Sequence, residues 1–128
     1  MKRILGLAGA LSLALVIGAP AARAHKAYPA RLLVYAQEWS LQPSRATLPA
    51  GPVVVQLWNR GQDVHDLRVQ RMTAAGRMVG RIQGVKKTLP GRVSSARWTL
   101  TPGHYMLFCS MPGHMAAGMH VMIAVRRG

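Results

Sequence analysis

From Arg31 onward the chain alternates short apolar runs with turn-forming residues, and several of those runs keep a two-residue period. In 65–71, His65, Leu67 and Val69 fall on one side and Asp66, Arg68 and Gln70 on the other. In 104–109, Tyr105, Leu107 and Cys109 share a side; in 119–126, Met119, Val121, Ile123 and Val125 do, with Arg126 opposite. A period of two marks a strand with one face on a core. Pro43, Pro49, Gly51-Pro52, Gly61, Gly76, Pro90-Gly91, Pro102-Gly103 and Pro112-Gly113 separate the runs. This punctuation predicts strands at about 31–38, 53–59, 65–71, 78–84, 92–100, 104–109 and 119–126. No later segment has a convincing helical period, and 72–78 reads as a loop or one helical turn. Short strands between turn signals describe an all-β sandwich or barrel. The same parity turns His65, Cys109 and Met119 toward the core, each at a strand end.

The first residues follow a different pattern. Lys2 and Arg3 precede an apolar run from Ile4 to Ala19, Pro20 breaks it, and Ala22-Arg23-Ala24 has the small-x-small form of a cleavage site. That order of parts is a secretory signal peptide. The apolar run is shorter than the roughly 20 residues a spanning helix needs. No cysteine follows it to take a lipid, and Lys2-Arg3 is not a twin-arginine pair. The expected organisation is a signal peptide at 1–24 and one domain at 25–128. The expected address is the periplasm, reached unfolded, with any metal loaded after export. After cleavage the protein is not expected to be an integral membrane protein.

Charge narrows the partners. The mature chain keeps 14 basic residues against Glu38, Asp63 and Asp66, a formal net charge of +11. Outside the cytoplasm such a surface suits acidic proteins or anionic lipid rather than nucleic acid. The basic residues run from Lys26 to Arg127 without a block of five, so charge alone names no partner.

Cys109 is the single cysteine. In an oxidising compartment a lone thiol is buried, paired between chains or bound to a metal. Its neighbours favour the metal. Cys109, His114 and Met119 stand five and five residues apart in one loop between two predicted strands, and His65 lies 44 residues before Cys109. Two histidines and a cysteine with a weak axial methionine form the blue-copper arrangement used for electron transfer. Thiolate and thioether suit Cu(I), imidazole suits both oxidation states, and a site that fits both moves little between them.

At this point the sequence resembles the cupredoxins, in particular the plastocyanin-like and amicyanin-like members. Glu38-Trp39-Ser40-Leu41-Gln42-Pro43 with Leu48-Pro49-Ala50-Gly51 is similar to the family's opening strand and turn. Val53 to Asn59, Gly61 and His65 resemble the strand leading to the first ligand, and Leu89-Pro90-Gly91 and Thr101-Pro102-Gly103-His104-Tyr105 the turns before the cysteine strand. The resemblance implies a Greek-key β-sandwich or barrel of about seven to eight strands. It implies one type 1 copper ion, with His65 and His114 as equatorial imidazoles, Cys109 as equatorial thiolate and Met119 as axial ligand. Asp66 departs from the family, where Asn is common; it can accept a hydrogen bond from Ser110 but cannot donate one.

The remaining candidates weigh less. His104 and His120 face away from the ligands by parity, and His25 would become the mature N-terminus. Met106 and Met122 fall opposite Cys109 and Met119, while Met111 and Met115 flank His114. With Met72 and Met78, these methionines read as an apolar collar or as a surface for Cu(I). Trp39, Trp58, Trp98 and Phe108 are expected in the core or on sheet faces. The leading function is a periplasmic electron carrier that transfers through His114, across a patch of Met111, Pro112, Met115 and Ala117. The expected partner is a redox protein with an acidic docking surface, such as a c-type cytochrome or an oxidase, meeting a monomer. The alternative is a carrier that hands over Cu(I). An enzyme is not expected, because three carboxylates and one metal site offer no acid–base pair.

Overall fold

The computed structural model describes residues 28–128. The signal segment at 1–24 and His25 lie outside the described residues. Nine strands are described: β1 (Ala30–Gln37), β2 (Ser40–Pro43), β3 (Thr47–Pro49), β4 (Gly51–Asn59), β5 (His65–Met72), β6 (Met78–Thr88), β7 (Val93–Leu100), β8 (Gly103–Phe108) and β9 (His120–Arg126). One helical turn, α1 (His114–Ala117), interrupts the loop between β8 and β9.

The strands form two mixed sheets, in the orders β2-β1-β4-β7 and β3-β9-β8-β5-β6. Two pairings are parallel, β1 with β4 and β3 with β9; the others are antiparallel. The strand count exceeds the expected seven to eight because β2 and β3 are only four and three residues long. Their prolines read as breaks in the sequence. Pro43 and Pro49 instead end strands at the sheet edges, where a missing N–H costs no ladder bond. Between them the chain passes from one sheet to the other.

The alternation seen in the sequence becomes the core. Val53, Val55 and Leu57 of β4 face Leu67 and Val69 of β5, Leu107 of β8 and Ile123 of β9 in one buried cluster with Leu32, Val34 and Trp98. Each buried aliphatic side chain contributes roughly 1.5–3 kcal/mol before chain entropy is counted. At the open side, where β6 and β7 are the sheet edges, the Gln83 amide donates to Thr99 O and accepts from Thr99 N–H, both at 3.0 Å. One side chain thus satisfies edge backbone that no strand pairs. The expected feature at 72–78 is a turn, with Thr73 N–H donating to Arg77 O at 2.9 Å and Gly76 at φ 78°.

Candidate metal centre

Four elements bring the predicted donors together. His65 is the first residue of β5, Cys109 directly follows β8, His114 opens α1 and Met119 directly precedes β9. Pairing of β8 with β9 up to Phe108 and His120 closes the 109–119 segment into a loop. Backbone bonds then fix its interior: Cys109 N–H to Met119 O, Met119 N–H to His114 O and His114 N–H to Met111 O, each 3.0 Å. Sequence reasoning missed α1, because four residues are too few to show a period.

His65, Cys109 and Met119 are fully buried and His114 is half-buried. The His65 and His114 Nδ1 atoms are 3.2 Å apart, and Cys109 Sγ lies 4.0 Å from the first and 3.6 Å from the second. A point equidistant from three atoms so placed is about 2.1 Å from each, a usual bond length from a first-row cation to imidazole nitrogen. Two ring nitrogens and a sulfur converging at these distances, with no polar partner between them, suit one metal ion. Met119 lies in the same buried cluster as Cys109. Burial pushes the Cys109 thiol up from its ordinary value, so without a cation the sulfur stays protonated, and a metal ion must displace that proton.

The other imidazole nitrogens have separate fates. His65 Nε2–H donates to Glu38 Oε1 at 2.9 Å. This leaves Nδ1 as the lone-pair donor and fixes the ring, the usual way a carboxylate positions a metal-binding histidine. Glu38 also accepts from the N–H groups of Gln62 at 3.0 Å and Asp63 at 2.8 Å. The Asp63 N–H, with smaller contributions from the Gln62 N–H and the His65 ring, holds its carboxyl at about 2, well below the usual 4.5. A side chain on Gly61 would overlap this carboxylate and have to push it aside, so glycine there leaves Glu38 its place. His114 Nε2 has no hydrogen-bond partner among the described residues, where Trp98 Nε1 is the one buried unpartnered side-chain nitrogen or oxygen. His114 Nε2 therefore reaches solvent.

Asp66 binds the loop from the other side. It accepts from Ser110 N–H at 2.7 Å and the Ser110 hydroxyl at 2.5 Å, and pairs with Arg68 at 3.0 Å. Burial alone would raise its carboxyl; the Ser110 bonds and the Arg68 charge outweigh this and lower it. Parity put Asp66 opposite the core face, yet it is fully buried, because Ser110 and Arg68 cover it.

Two residues beside the site escaped the sequence reading. Glu38 was read only as part of a strand motif; a signal was there, since a chain with three carboxylates spends one on this segment. Trp39 was expected to pack in the core or on a sheet face. It is 46% exposed and stands edge-on to His114, with ring centroids 4.9 Å apart at 76°. The Trp39 carbonyl oxygen would lie 2.9 Å from a Cβ on Gly118, so this turn presses directly on the loop. Trp98 and Phe108 are buried, and Trp58 lies on an outer face against Tyr35.

Beside the loop an apolar hollow is lined by Phe108, Met111, Pro112, Met115 and Ala116. The expected patch had Ala117 in place of Phe108 and Ala116. His104, His120 and Met122 are exposed, as parity required. Met72 and Met78 pair at the far end of the β5–β6 hairpin, remote from the loop.

No family model matches the sequence, and no curated protein does. Solved structures do match. A dithionite-reduced auracyanin from the photosynthetic bacterium Roseiflexus castenholzii superposes with a TM-score of 0.63 at 19% identity, over 78% of this chain and 99% of that one. Auracyanin A from Chloroflexus aurantiacus, described as a "blue" copper protein, gives 0.61 at 15% identity over 77% and 100%. Rusticyanin from Thiobacillus ferrooxidans gives 0.58 at 20% over 75% and 76%.

Proposed function

We propose that this chain, whose fold is that of the cupredoxins, holds one type 1 copper ion through His65, Cys109, His114 and Met119 and works as an exported, periplasmic electron carrier. The observation that carries the reading is the triangle of two Nδ1 atoms and one Sγ, 3.2 to 4.0 Å on a side, in a buried pocket with one imidazole reaching solvent. Bound copper would supply a one-electron couple, and a thiolate, two imidazoles and a thioether suit both of its oxidation states. The chain's own part is to hold the donors still. The hydrogen bond from His65 to Glu38, the bonds from Ser110 to Asp66 and the backbone bonds across the loop all do this. His114 Nε2 and the hollow of Met111, Pro112 and Met115 give a redox partner an apolar place to sit. The basic surface favours a partner with acidic groups, so association should weaken with salt.

A Cu(I) carrier would draw on the methionines. Met111 and Met115 line the hollow, but Met72 and Met78 sit at the opposite end of the sandwich. That leaves fewer sulfurs for metal hand-over than the sequence offered.

The test is the visible spectrum after one equivalent of Cu(II), beside a Cys109→Ala control. An intense charge-transfer band lost in the control, followed by repeated reduction and oxidation without loss of copper to a chelator, is the expected result. A pale spectrum indifferent to Cys109 overturns the reading.

A further inference from the structure

The two ends of this sandwich differ in how their charges are answered. Glu38 and Asp66 contact metal-end residues, and Asp63 lies two residues before His65. At the other end a cleft of about 430 Å³ opens along the edges of β6 and β7, walled by Arg71, Arg81 and Arg97 with Thr99, Thr101 and Tyr105 between them. Arg71 is six residues along β5 from His65, which at the rise of a strand is roughly 20 Å away. Ion pairs among the described residues engage Arg68 and His65 only, so none of the cleft's three guanidinium groups meets a carboxylate there.

The cleft is built rather than incidental. Arg71 Nη1 donates to Thr101 Oγ1 at 2.9 Å and Nη2 to Pro102 O at 2.9 Å. Its guanidinium lies so close over Gly103 that a Cβ there would meet its Cζ at 2.8 Å. All of these acceptors are neutral, so the group is fixed in place with its charge uncompensated. The Tyr105 hydroxyl donates to Thr101 O at 2.9 Å, and Gln83 ties β6 to β7 across the floor. Arg81 and Arg97 are exposed, and their side chains make no hydrogen bond within the described residues, which leaves their guanidinium donors free. Three like charges around one cavity repel, and a multivalent oxyanion relieves that repulsion while matching the planar N–H pairs of guanidinium.

We propose that the Arg71–Arg81–Arg97 cleft is a binding site for a phosphate-type oxyanion, supplied either as free phosphate or polyphosphate or as the phosphate of a lipid headgroup. The site does not depend on the metal centre, so it stands or falls separately.

The experiment titrates the full chain with inorganic pyrophosphate, following the backbone amides of Thr99, Thr101 and Tyr105 by NMR. In parallel it measures cosedimentation with phosphatidylcholine vesicles with and without phosphatidylglycerol. The Arg81→Gln/Arg97→Gln variant removes two free guanidinium groups and leaves the Arg71 scaffold intact. Lys86→Gln/Lys87→Gln removes the same charge elsewhere. The expected result is that the arginine variant weakens binding roughly tenfold or more and the lysine variant less than about twofold. Loss confined to pyrophosphate identifies a free oxyanion, and loss confined to anionic vesicles identifies a headgroup. Equal weakening by both variants, or cleft amides that do not move and vesicle binding indifferent to Arg81 and Arg97, overturns the proposal.

Discussion

Replacing Glu38 by Ala removes the acceptor of three N–H groups at once, those of Gln62, Asp63 and the His65 ring. The two backbone groups are near the surface and turn to water. His65 is fully buried and has no such recourse. Its Nε2–H is left unpaired, and nothing then fixes which nitrogen faces Cys109. Loss of an outer partner of a metal-binding histidine costs about 10–100-fold in metal affinity, or about 1.4–2.7 kcal/mol. The unpaired buried N–H costs the metal-free fold a further ~1–3 kcal/mol. Glu38→Ala should therefore lower Cu(II) affinity about 10–100-fold in a chelator competition, and lower stability in urea melts by about 1–3 kcal/mol. Glu38→Gln keeps an oxygen at the shared position and should lose much less. Gly61→Ala should reproduce the Ala phenotype without touching Glu38, since its methyl group displaces the carboxylate. If Glu38→Ala binds copper within about twofold of the parent while Gly61→Ala is also silent, the carboxylate does not position His65 and the reasoning fails.

Three further outcomes follow from the same geometry. Asp66→Asn keeps an acceptor for Ser110 N–H but removes a buried negative charge beside the cysteine loop, so the reduction potential measured by voltammetry should rise; an unchanged or lower value contradicts this. Trp39→Ala removes the ring that stands edge-on to His114, so thermal stability should fall by about 0.5–1.5 kcal/mol while a small outer-sphere oxidant reacts faster. Stability should also fall in acid. The folded Glu38 carboxyl sits at about 2 against an ordinary 4.5, and Asp66 is lowered too. A depressed folded value gives stability that is complete above the unfolded value and lost as pH drops toward the folded one. Melting temperatures should hold down to about pH 5 and decline from there toward about pH 2, and Glu38→Gln should flatten the decline; a profile flat across that window refutes the assignment.

The sequence by itself determined the strand-rich class, the core faces of β5, β8 and β9 and the four candidate donors. Each of these rests on local rules. Alternation with a period of two places a side chain on one face whatever its partner strand, and strand-like runs on either side of the Cys, His and Met spaced by five put them in one short loop. What the sequence left open depends on contacts distant along the chain. The edge strands β2 and β3 were hidden by prolines that are harmful in a central strand and harmless at an edge, and edge position is a property of the assembled sheet. Asp66 has exposed parity yet is buried, because Ser110, 44 residues on, closes over it. Glu38 becomes a partner of His65 only when the β1–β2 turn meets the start of β5, and Trp39 comes to His114 by the same approach. Arg71, Arg81 and Arg97 are ordinary surface positions on three strands until the two sheets fold toward each other and leave a cleft between their edges.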